Sequence, residues 1–199
     1  MTRIIAGRAG GRTIRTPTGR DTRPTTDRVR EALFSRVESL LVLDDARVLD
    51  LFAGSGALGL EALSRGAGHL LAVERHRPTA RLIEQNADGL DLGGHVQVRS
   101  GPVQVVLTGS HPDEPYDLVL LDPPYPMGEE ELTQVLSALV THRWLTDEAL
   151  VVLERSSRSP APTWPTGLHR LDTRRYGETA VHLAERTPGG EGDAVSPSG

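Results

Sequence analysis

A buried strand that ends in two prolines constrains the fold of this chain more than any other feature. The apolar run at residues 118–121 stops abruptly at Asp122, Pro123, Pro124 and Tyr125. A short unbroken apolar run predicts a strand covered on both faces, as in parallel sheets. Proline lacks an N–H donor and has a fixed φ, so the two prolines predict a rigid bend just past the strand.

The bend carries a carboxylate and an aromatic ring at the edge where α/β sheets bind their ligands. Oxygen atoms of Asp122 and Pro123 could accept the N–H groups of an exocyclic amine, and Tyr125 could stack on the base that bears it. We therefore predict Asp122, Pro123 and Tyr125 as catalytic residues, acting by positioning and electrostatics. The alternative is a proline-rich turn with a helix-capping aspartate.

Strands alternate with helices around this run. Strands are predicted at residues 47–52, 69–74, 96–99, 116–121 and 149–154, with helices at 54–65, 77–92 and from 129 onward. A closing pair of strands is predicted at 168–173 and 179–184. This alternation indicates parallel βαβ units in an α/β, Rossmann-like, doubly wound sheet.

Outside the alternation, the chain begins and ends differently. Residues 1–25 form a basic extension with possible hairpin strands at 4–5 and 13–14, and a helix is expected at 26–41. The catalytic domain is expected to span residues 26–186. Residues 187–199 are rich in Gly, Pro and Ser and are expected to be disordered.

Composition excludes several classes of protein. The chain of 199 residues has no cysteine, and its seven histidines show no metal-ligand spacing, so neither disulfides nor a metal site is expected. We see no signal peptide and no apolar stretch of membrane-spanning length. We expect a cytoplasmic monomer.

Charge is distributed unevenly along the chain. Nine arginines face three acids in residues 1–36, although the whole chain carries a net charge of −5. A basic arm on an acidic body suggests contact with a polyanion, and the alternative is a solvated basic tail. The predicted RNA-binding residues are Arg3, Arg8, Arg12, Arg15, Arg23 and Arg28.

A glycine-rich turn follows the first predicted strand of the domain. Gly54, Gly56 and Gly59 have the G-x-G-x-x-G spacing, and Glu74 ends the next strand 20 residues after Gly54. Glycines allow a ligand to approach the backbone closely, and an acid in that place can bind both hydroxyls of a ribose. The pattern predicts a cofactor that contains adenosine. The predicted binding residues are Asp50, Phe52, Ala53, Gly54, Ser55, Gly56, Gly59 and Glu74.

Two cofactors fit this pattern: a dinucleotide, with pyrophosphate at the helix N-terminus, and S-adenosylmethionine. Asp50 precedes the turn and could meet the cationic methionine end. Asp122 on the next strand would complete that site, whereas hydride transfer does not require a carboxylate beside a stacking ring. S-adenosylmethionine is therefore the favoured cofactor.

Taken together, these motifs resemble those of the RsmD family of 16S ribosomal RNA guanine-N(2) methyltransferases, over about residues 3 to 183. The matching positions are residues 3–7, 22–25, 28–34, 50–59 and 61–67, with Glu74, Asn86, residues 122–125, Glu154, Tyr176 and Gly177. The Asp-Pro-Pro-Tyr motif is shared with amino-methyltransferases in general. The arginine–threonine–proline segment and the long glycine-loop match are more specific.

The resemblance implies a class I methyltransferase fold with a seven-stranded sheet whose last strand is antiparallel. It also implies that one methyl group is placed on a guanine amine of 16S rRNA, within the small ribosomal subunit, and that the amino-terminal extension seats the RNA. One departure concerns adenine, because no acid follows the third strand. Ser100 or backbone groups would recognise adenine instead.

Three other functions stay open on the sequence. One is an amino-methyltransferase for another base, in DNA or RNA, although no extra target-recognition domain is visible. Another is an NAD-dependent oxidoreductase, and the third is an RNA-binding assembly factor without catalysis.

Overall fold

The computed structural model describes residues 1–17, 27–109, 113–124 and 127–187. The strands are β1 (Thr2–Arg3), β2 (Thr13–Ile14), β3 (Arg47–Leu51), β4 (His69–Glu74), β5 (Val96–Ser100), β6 (Tyr116–Leu121), β7 (Leu145–Ser156), β8 (Leu168–Tyr176) and β9 (Thr179–Arg186). The helices are α1 (Asp27–Glu38), α2 (Ala57–Ser64), α3 (Arg77–Gly89), α4 (Val103–Gly109) and α5 (Glu129–Thr141), with a short 3₁₀ turn at Gly93–His95.

Seven strands form one sheet in the order β5-β4-β3-β6-β7-β9-β8. Strands β3 to β7 are parallel to one another, and β9 runs antiparallel between β7 and β8. The order reverses between β3 and β6, which is the point where doubly wound sheets bind ligands. The expected sheet, with its antiparallel last strand, is confirmed.

Helices cover both faces of the sheet, which explains the unbroken apolar runs of the central strands. On one face, α1, α2 and α3 pack against alternate strand residues such as Val48, Leu118 and Val152. On the other, α4 and α5 pack against the intervening residues, among them Leu49 and Val119. Each central strand is therefore apolar on both sides.

The first 15 residues are fastened to the domain. Ile4, Ala9 and Ile14 belong to the core that α1, α2 and α3 share with the sheet. The backbone N–H groups of Ile5 and Ala6 donate to the buried Glu61 carboxylate on α2, at 2.7 and 3.1 Å. The basic extension is thus a docked hairpin over this part, with strands at Thr2–Arg3 and Thr13–Ile14 instead of the predicted 4–5 and 13–14.

The predicted elements differ from the structure in two main ways. Helix α4 was not predicted, although Pro102 precedes it and Val103 and Leu107 have helical spacing. It has only seven residues, and its buried face depends on the neighbouring strand and on α5. Strand β7 begins at Leu145, four residues before the predicted start, because Leu145 pairs with Tyr116 ahead of an irregularity in the ladder.

No helix in the described ranges is long and apolar enough to cross a bilayer. Some predictions fall outside those ranges. Tyr125 and Arg23 are among the undescribed residues, as is the predicted tail from residue 188 onward.

Candidate active site

A cavity of about 1010 Å³ opens at the carboxyl ends of β3, β4, β6 and β7. The glycine-rich turn lines one side of it, and the bend after β6 lines another. Of the residues predicted for the cofactor and for catalysis, those that line the cavity are Asp50, Phe52, Ala53, Gly54, Ser55, Glu74, Asp122 and Pro123. Two strand ends that are distant in sequence therefore share one space.

Backbone conformation shapes the turn after β3. Phe52 and Gly54 have φ of 63° and 56°, in the left-handed region. Within the described parts of the chain, a Cβ on Gly54 would meet one neighbour within 4 Å, the Phe52 carbonyl oxygen at 3.9 Å. The space beside Gly54 is thus open to the cavity, and a ligand could approach its backbone closely.

The other two glycines of the motif face the interior, unlike the prediction that they contact the cofactor. A Cβ on Gly56 would lie 3.0 Å from the Ile83 side chain, and one on Gly59 would lie 2.6 Å from that of Leu70. Their N–H groups already donate within the protein, from Gly56 to the Ala53 carbonyl at 2.7 Å and from Gly59 to Asp50 Oδ2 at 3.0 Å. Gly59 therefore allows α2 to pack closely against β4, and Gly56 allows the turn to pack closely against α3.

Asp50 is a buried carboxylate at the end of β3, with 1% of its surface exposed. Burial raises the pKa of Asp50 to about 7; the hydrogen bond from Gly59 opposes this shift and the charge of Glu74 adds to it. Asp50 accepts an amide N–H from the first turn of α2, whose free N–H groups favour negative charge. It therefore holds α2 against the sheet and presents an acid to the cavity.

Glu74 ends β4, where the sequence predicted a ribose-binding acid. Its Oε2 accepts the Gly54 N–H at 3.1 Å, and its Oε1 accepts the His76 N–H at 2.9 Å. Each carboxylate oxygen has a second lone pair. Glu74 therefore braces the glycine turn and can still accept hydrogen bonds from a ligand.

Glu154 lies beside Asp122, because β6 and β7 pair in register. Leu121 is the partner of Leu153, so the next residue of each strand is Asp122 and Glu154. Both line the cavity, and Glu154 is 8% exposed. Neighbouring strands lie about 4.8 Å apart, which brings the two carboxylates close together.

Desolvation is the first cause of a raised pKa at Asp122. Asp122 is exposed at the cavity, so water reaches it, and the surrounding protein raises its pKa above the ordinary value by partial desolvation. The charges of Glu154 and Asp50 add to the shift, in that order. Water in the cavity offsets part of the desolvation, so a bound ligand that displaces water would strengthen the effect.

Arg30 on α1 provides a positive charge on the cavity wall. It is 2% exposed and donates to Thr2 Oγ1 at 2.9 Å, to the Arg3 carbonyl at 2.6 Å and to Asp27 Oδ1 at 2.9 Å. Burial lowers the pKa of Arg30, and the charges of Asp27, Glu61 and Glu154 oppose that shift.

Asn86 on α3 joins the amino-terminal segment to the glycine turn. Its Nδ2 donates to the Ser55 carbonyl at 3.0 Å and to the Arg15 carbonyl at 2.9 Å, while its Oδ1 accepts the Arg15 N–H at 2.9 Å. Residue spacing assigned no role to Asn86. A buried asparagine on an amphipathic helix was the available signal.

The expected adenine contact differs from the cavity lining. Ser100 is exposed at the end of β5 and does not line the cavity. Pro102, Val103 and Gln104, at the start of α4, line it instead. Because α4 was not predicted, the sequence placed the adenine contact at the strand end.

The predicted RNA-binding arginines divide into two groups. Arg3 pairs with Asp27 at 2.6 Å, and Arg12 pairs with Asp91 at 2.8 Å and donates to the carbonyls of Gly89 and Leu90. By contrast, the side chains exposed to solvent with no ion pair found among the described residues are those of Arg8, Arg15 and Arg28. Arg23 lies outside the described residues.

Comparison with known proteins agrees with this architecture. The family described as conserved hypothetical protein 95 matches residues 2–185. Ribosomal RNA small subunit methyltransferase D of Escherichia coli K12 is 38% identical over 194 residues, which cover 96% of this chain and 93% of that protein.

Solved structures give the same result. An Escherichia coli structure named as a candidate methyltransferase, yhhF, has a TM-score of 0.81 and is 37% identical in sequence. The match covers 93% of this chain and 97% of the yhhF chain. Magnesium protoporphyrin IX methyltransferase from Synechocystis PCC 6803, solved with bound S-adenosylmethionine, shares the fold with a TM-score of 0.59 at 18% identity, over 79% of each chain. The chain therefore belongs to the RsmD family of class I methyltransferases.

Proposed function

We propose that this protein transfers a methyl group from S-adenosylmethionine to the exocyclic amine of a guanine in 16S rRNA. The substrate would be the small ribosomal subunit, and the enzyme would act in the cytoplasm as a monomer. The name of the Escherichia coli relative, a ribosomal RNA small subunit methyltransferase, supports the rRNA substrate. The observation that carries the proposal is that the glycine turn and the Asp122 bend line the same cavity.

The charge of the cavity fits a cationic cofactor. The acids that line the cavity include Asp50, Glu74, Asp122 and Glu154. The space beside Gly54 accepts close approach, and Asp50 and Glu74 can hold the ammonium and the ribose hydroxyls, with Pro102 to Gln104 beside the adenine. S-adenosylmethionine supplies a methyl group already activated by its positive sulfonium.

The residues at the bend would orient the amine. Asp122 and the carbonyl of Pro123 would accept its N–H groups, which favours a pyramidal nitrogen whose lone pair faces the methyl donor. Tyr125 would stack on the base and fix the angle of approach. No strong base is needed, so positioning and electrostatics supply the rate enhancement.

The same geometry argues against an NAD-dependent oxidoreductase. A dinucleotide pyrophosphate would use the free N–H groups at the start of α2. There the Asp50 carboxylate accepts the Gly59 N–H, and the further acids that line the cavity include Glu74, Asp122 and Glu154. Two phosphate charges beside these carboxylates would be repelled.

Substitution of Asp122 by Ala tests the catalytic assignment. Methyl transfer to small-subunit rRNA should fall by at least about 100-fold, the usual cost of removing an electrostatic contact made to the reacting group. Binding of S-adenosylhomocysteine, measured by calorimetry, should persist. Asp147→Ala serves as the control, since Asp147 is an exposed acid in the first half of β7. Full transfer by Asp122→Ala would refute the role.

Mass spectrometry of rRNA from a strain without this protein tests the substrate. One methylguanosine should disappear from 16S rRNA and return when the wild-type chain is expressed. An unchanged 16S rRNA, with loss of a methylated base in DNA or in another RNA, would favour the alternative amino-methyltransferase. If no nucleic acid changes and purified protein binds rRNA without methylating it, an assembly factor is indicated.

A further inference from the structure

The pair of acids at the ends of β6 and β7 is one carboxylate more than amine binding requires. Asp122 alone can accept an exocyclic N–H, and the same would hold for adenine, cytosine or guanine. Glu154 lies next to it through the Leu121–Leu153 register and lines the same cavity. The charge of Glu154 adds to the desolvation that raises the pKa of Asp122, so placing the two carboxylates side by side has an electrostatic cost. Two adjacent carboxylates can also accept two hydrogen bonds from one edge of a ligand.

Asp50, the third acid near the bend, has a different position and a different hydrogen-bond partner. Asp50 pairs with Leu120, so it lies two residues deeper on the same face of the sheet than Asp122. It accepts the Gly59 N–H and is 1% exposed. Asp50 therefore belongs to the cofactor side of the cavity, and Glu154 is the carboxylate that lies beside Asp122 at the proposed position of the base.

Guanine differs from the other amine-bearing bases in the atom next to its amine. Its Watson–Crick edge carries N1–H beside the N2 amine, so two neighbouring positions donate hydrogen bonds. Adenine and cytosine carry an unprotonated ring nitrogen beside their amines, which is an acceptor. Two adjacent carboxylates complement a donor–donor edge, whereas a ring-nitrogen lone pair facing a carboxylate is repelled and left unsatisfied.

We propose that Glu154 accepts a hydrogen bond from N1–H of the target base while Asp122 accepts from the amine, so that the acid pair selects guanine. This inference rests on the proposed function, because it names the base that the same site accepts. Glu154 is then a specificity-determining residue for methyl transfer. Adenine and cytosine are excluded by the second carboxylate, without any steric block.

The surroundings of Glu154 are compatible with this role. Arg30 lies close enough for the Glu154 charge to act on it, which reduces the cost of burying the carboxylate. A carboxylate offers about four acceptor positions, so a bond to a neighbouring protein group leaves others for a base. Val181 on β9 flanks Glu154 on the side away from β6, which leaves Asp122 as its neighbour along the cavity edge.

The test compares guanine with 2-aminopurine at the methylated position of the rRNA. 2-Aminopurine keeps the N2 amine but has an unprotonated N1. Wild-type enzyme should prefer guanine in kcat/KM by at least about tenfold, the value of one charge-assisted hydrogen bond. Glu154→Gln should lower this preference by about tenfold or more, because an amide can donate to the unprotonated N1.

Two controls separate specificity from general damage. Glu154→Gln should bind S-adenosylhomocysteine as tightly as the wild type. Glu185→Gln, an exposed acid on β9 away from the cavity, should keep the wild-type preference for guanine.

Each outcome decides between the possibilities. An unchanged preference in Glu154→Gln would overturn the inference, as would a wild-type enzyme that methylates guanine and 2-aminopurine equally well. The second result needs no variant, so it remains decisive if Glu154→Gln fails to fold. Wild-type enzyme that methylates neither base would refute the proposed function itself.

Discussion

At the scale of single residues, Asp50 combines a structural duty with a cost in stability. Its folded pKa of about 7 lies above the ordinary value of 3.8, so the folded state binds a proton more tightly than the unfolded chain does. The stability that this proton provides is complete below pH 3.8 and is lost as pH rises through about 7. At higher pH, the ionised and buried carboxylate opposes folding.

We predict that Asp50→Asn removes this pH dependence. An amide oxygen can still accept the Gly59 N–H, and no charge remains to be buried. The ligand-free variant should gain stability relative to the wild type as pH increases from 5 to 8, since each pKa unit corresponds to about 1.4 kcal/mol. Urea unfolding at both pH values measures the difference. Equal changes in the two proteins would contradict the assignment.

The same residue should make cofactor binding depend on pH. The ionised form of Asp50 attracts the ammonium group, so binding below pH 7 requires loss of the Asp50 proton. Affinity for S-adenosylhomocysteine should rise by up to about tenfold per pH unit toward pH 7 and then level off. Calorimetry at several pH values should show a weaker dependence, and weaker binding at pH 8, in Asp50→Asn.

At the scale of elements, the turn between β3 and α2 contains glycines that pack against neighbouring side chains and one glycine that faces the cavity. A Cβ on Gly59 would lie 2.6 Å from Leu70 and 3.0 Å from Asp50 Oδ2, whereas one on Gly54 would enter open space. The G-x-G-x-x-G spacing is common to both purposes. Only the contacts on each side of the turn distinguish them.

We predict different effects for the two alanine substitutions. Gly59→Ala should lower the free energy of unfolding by about 1–3 kcal/mol through overpacking between α2 and β4. Gly54→Ala should cost less stability, about 1 kcal/mol for its left-handed φ, and should weaken binding of S-adenosylhomocysteine more strongly. Thermal unfolding and calorimetry on both variants test this; a binding defect in Gly59→Ala without loss of stability would contradict it.

Helix α3 connects the amino-terminal segment to the same turn through Asn86. Asn86→Ala removes the hydrogen bonds that the Asn86 side chain makes with the Ser55 carbonyl and with the Arg15 backbone. These backbone groups then lose their hydrogen-bond partner. We expect a loss of about 1–3 kcal/mol in stability and faster hydrogen exchange of the Arg15 amide. Exchange at the Gly59 amide, which donates to Asp50, provides an internal reference. No change at Arg15 would contradict the connection.

At the scale of the whole molecule, the arginines of the basic extension and of α1 divide into two groups. Some form ion pairs and hydrogen bonds with the domain, and others are exposed to solvent. Arg12 donates hydrogen bonds to the Leu90 carbonyl, at the C-terminal end of α3, and to the Asp91 carboxylate. Arg3 forms an ion pair with Asp27 on α1. These interactions stabilise the arm. The exposed arginines Arg8, Arg15 and Arg28 are the ones we expect to contact RNA phosphates.

We predict that replacing Arg8, Arg15 and Arg28 together by Ala weakens binding to small-subunit rRNA. The slope of log K against log salt should decrease by about 0.7 for each phosphate of single-stranded RNA that the variant no longer neutralises. Arg143→Asn is the control, because Arg143 is an exposed arginine between α5 and β7 that does not line the cavity, and asparagine tolerates its φ of 55°. An unchanged salt slope in the triple variant would reject RNA binding by these residues.

Much of the fold was predictable, because local signals agreed with it. Strands β4 and β6 have the predicted bounds, and α5 begins, as predicted, at Glu129, the first of its three glutamates. The short helix α4 was missed, since its seven residues carry little periodicity. Where an element depends on a neighbour for its buried face, the sequence pattern alone is too weak to define it.

The sequence by itself determined the residue types at the strand ends: a glycine turn after β3, an acid at the end of β4 and a carboxylate before two prolines after β6. These signals are local, because strand length, turn chemistry and proline act within a few residues. Only the tertiary structure decided which of these groups meet. The register between β6 and β7 brings Glu154 beside Asp122, and packing of α2 turns Gly56 and Gly59 inward. Register and packing depend on burying both faces of the sheet together, so no short segment encodes them.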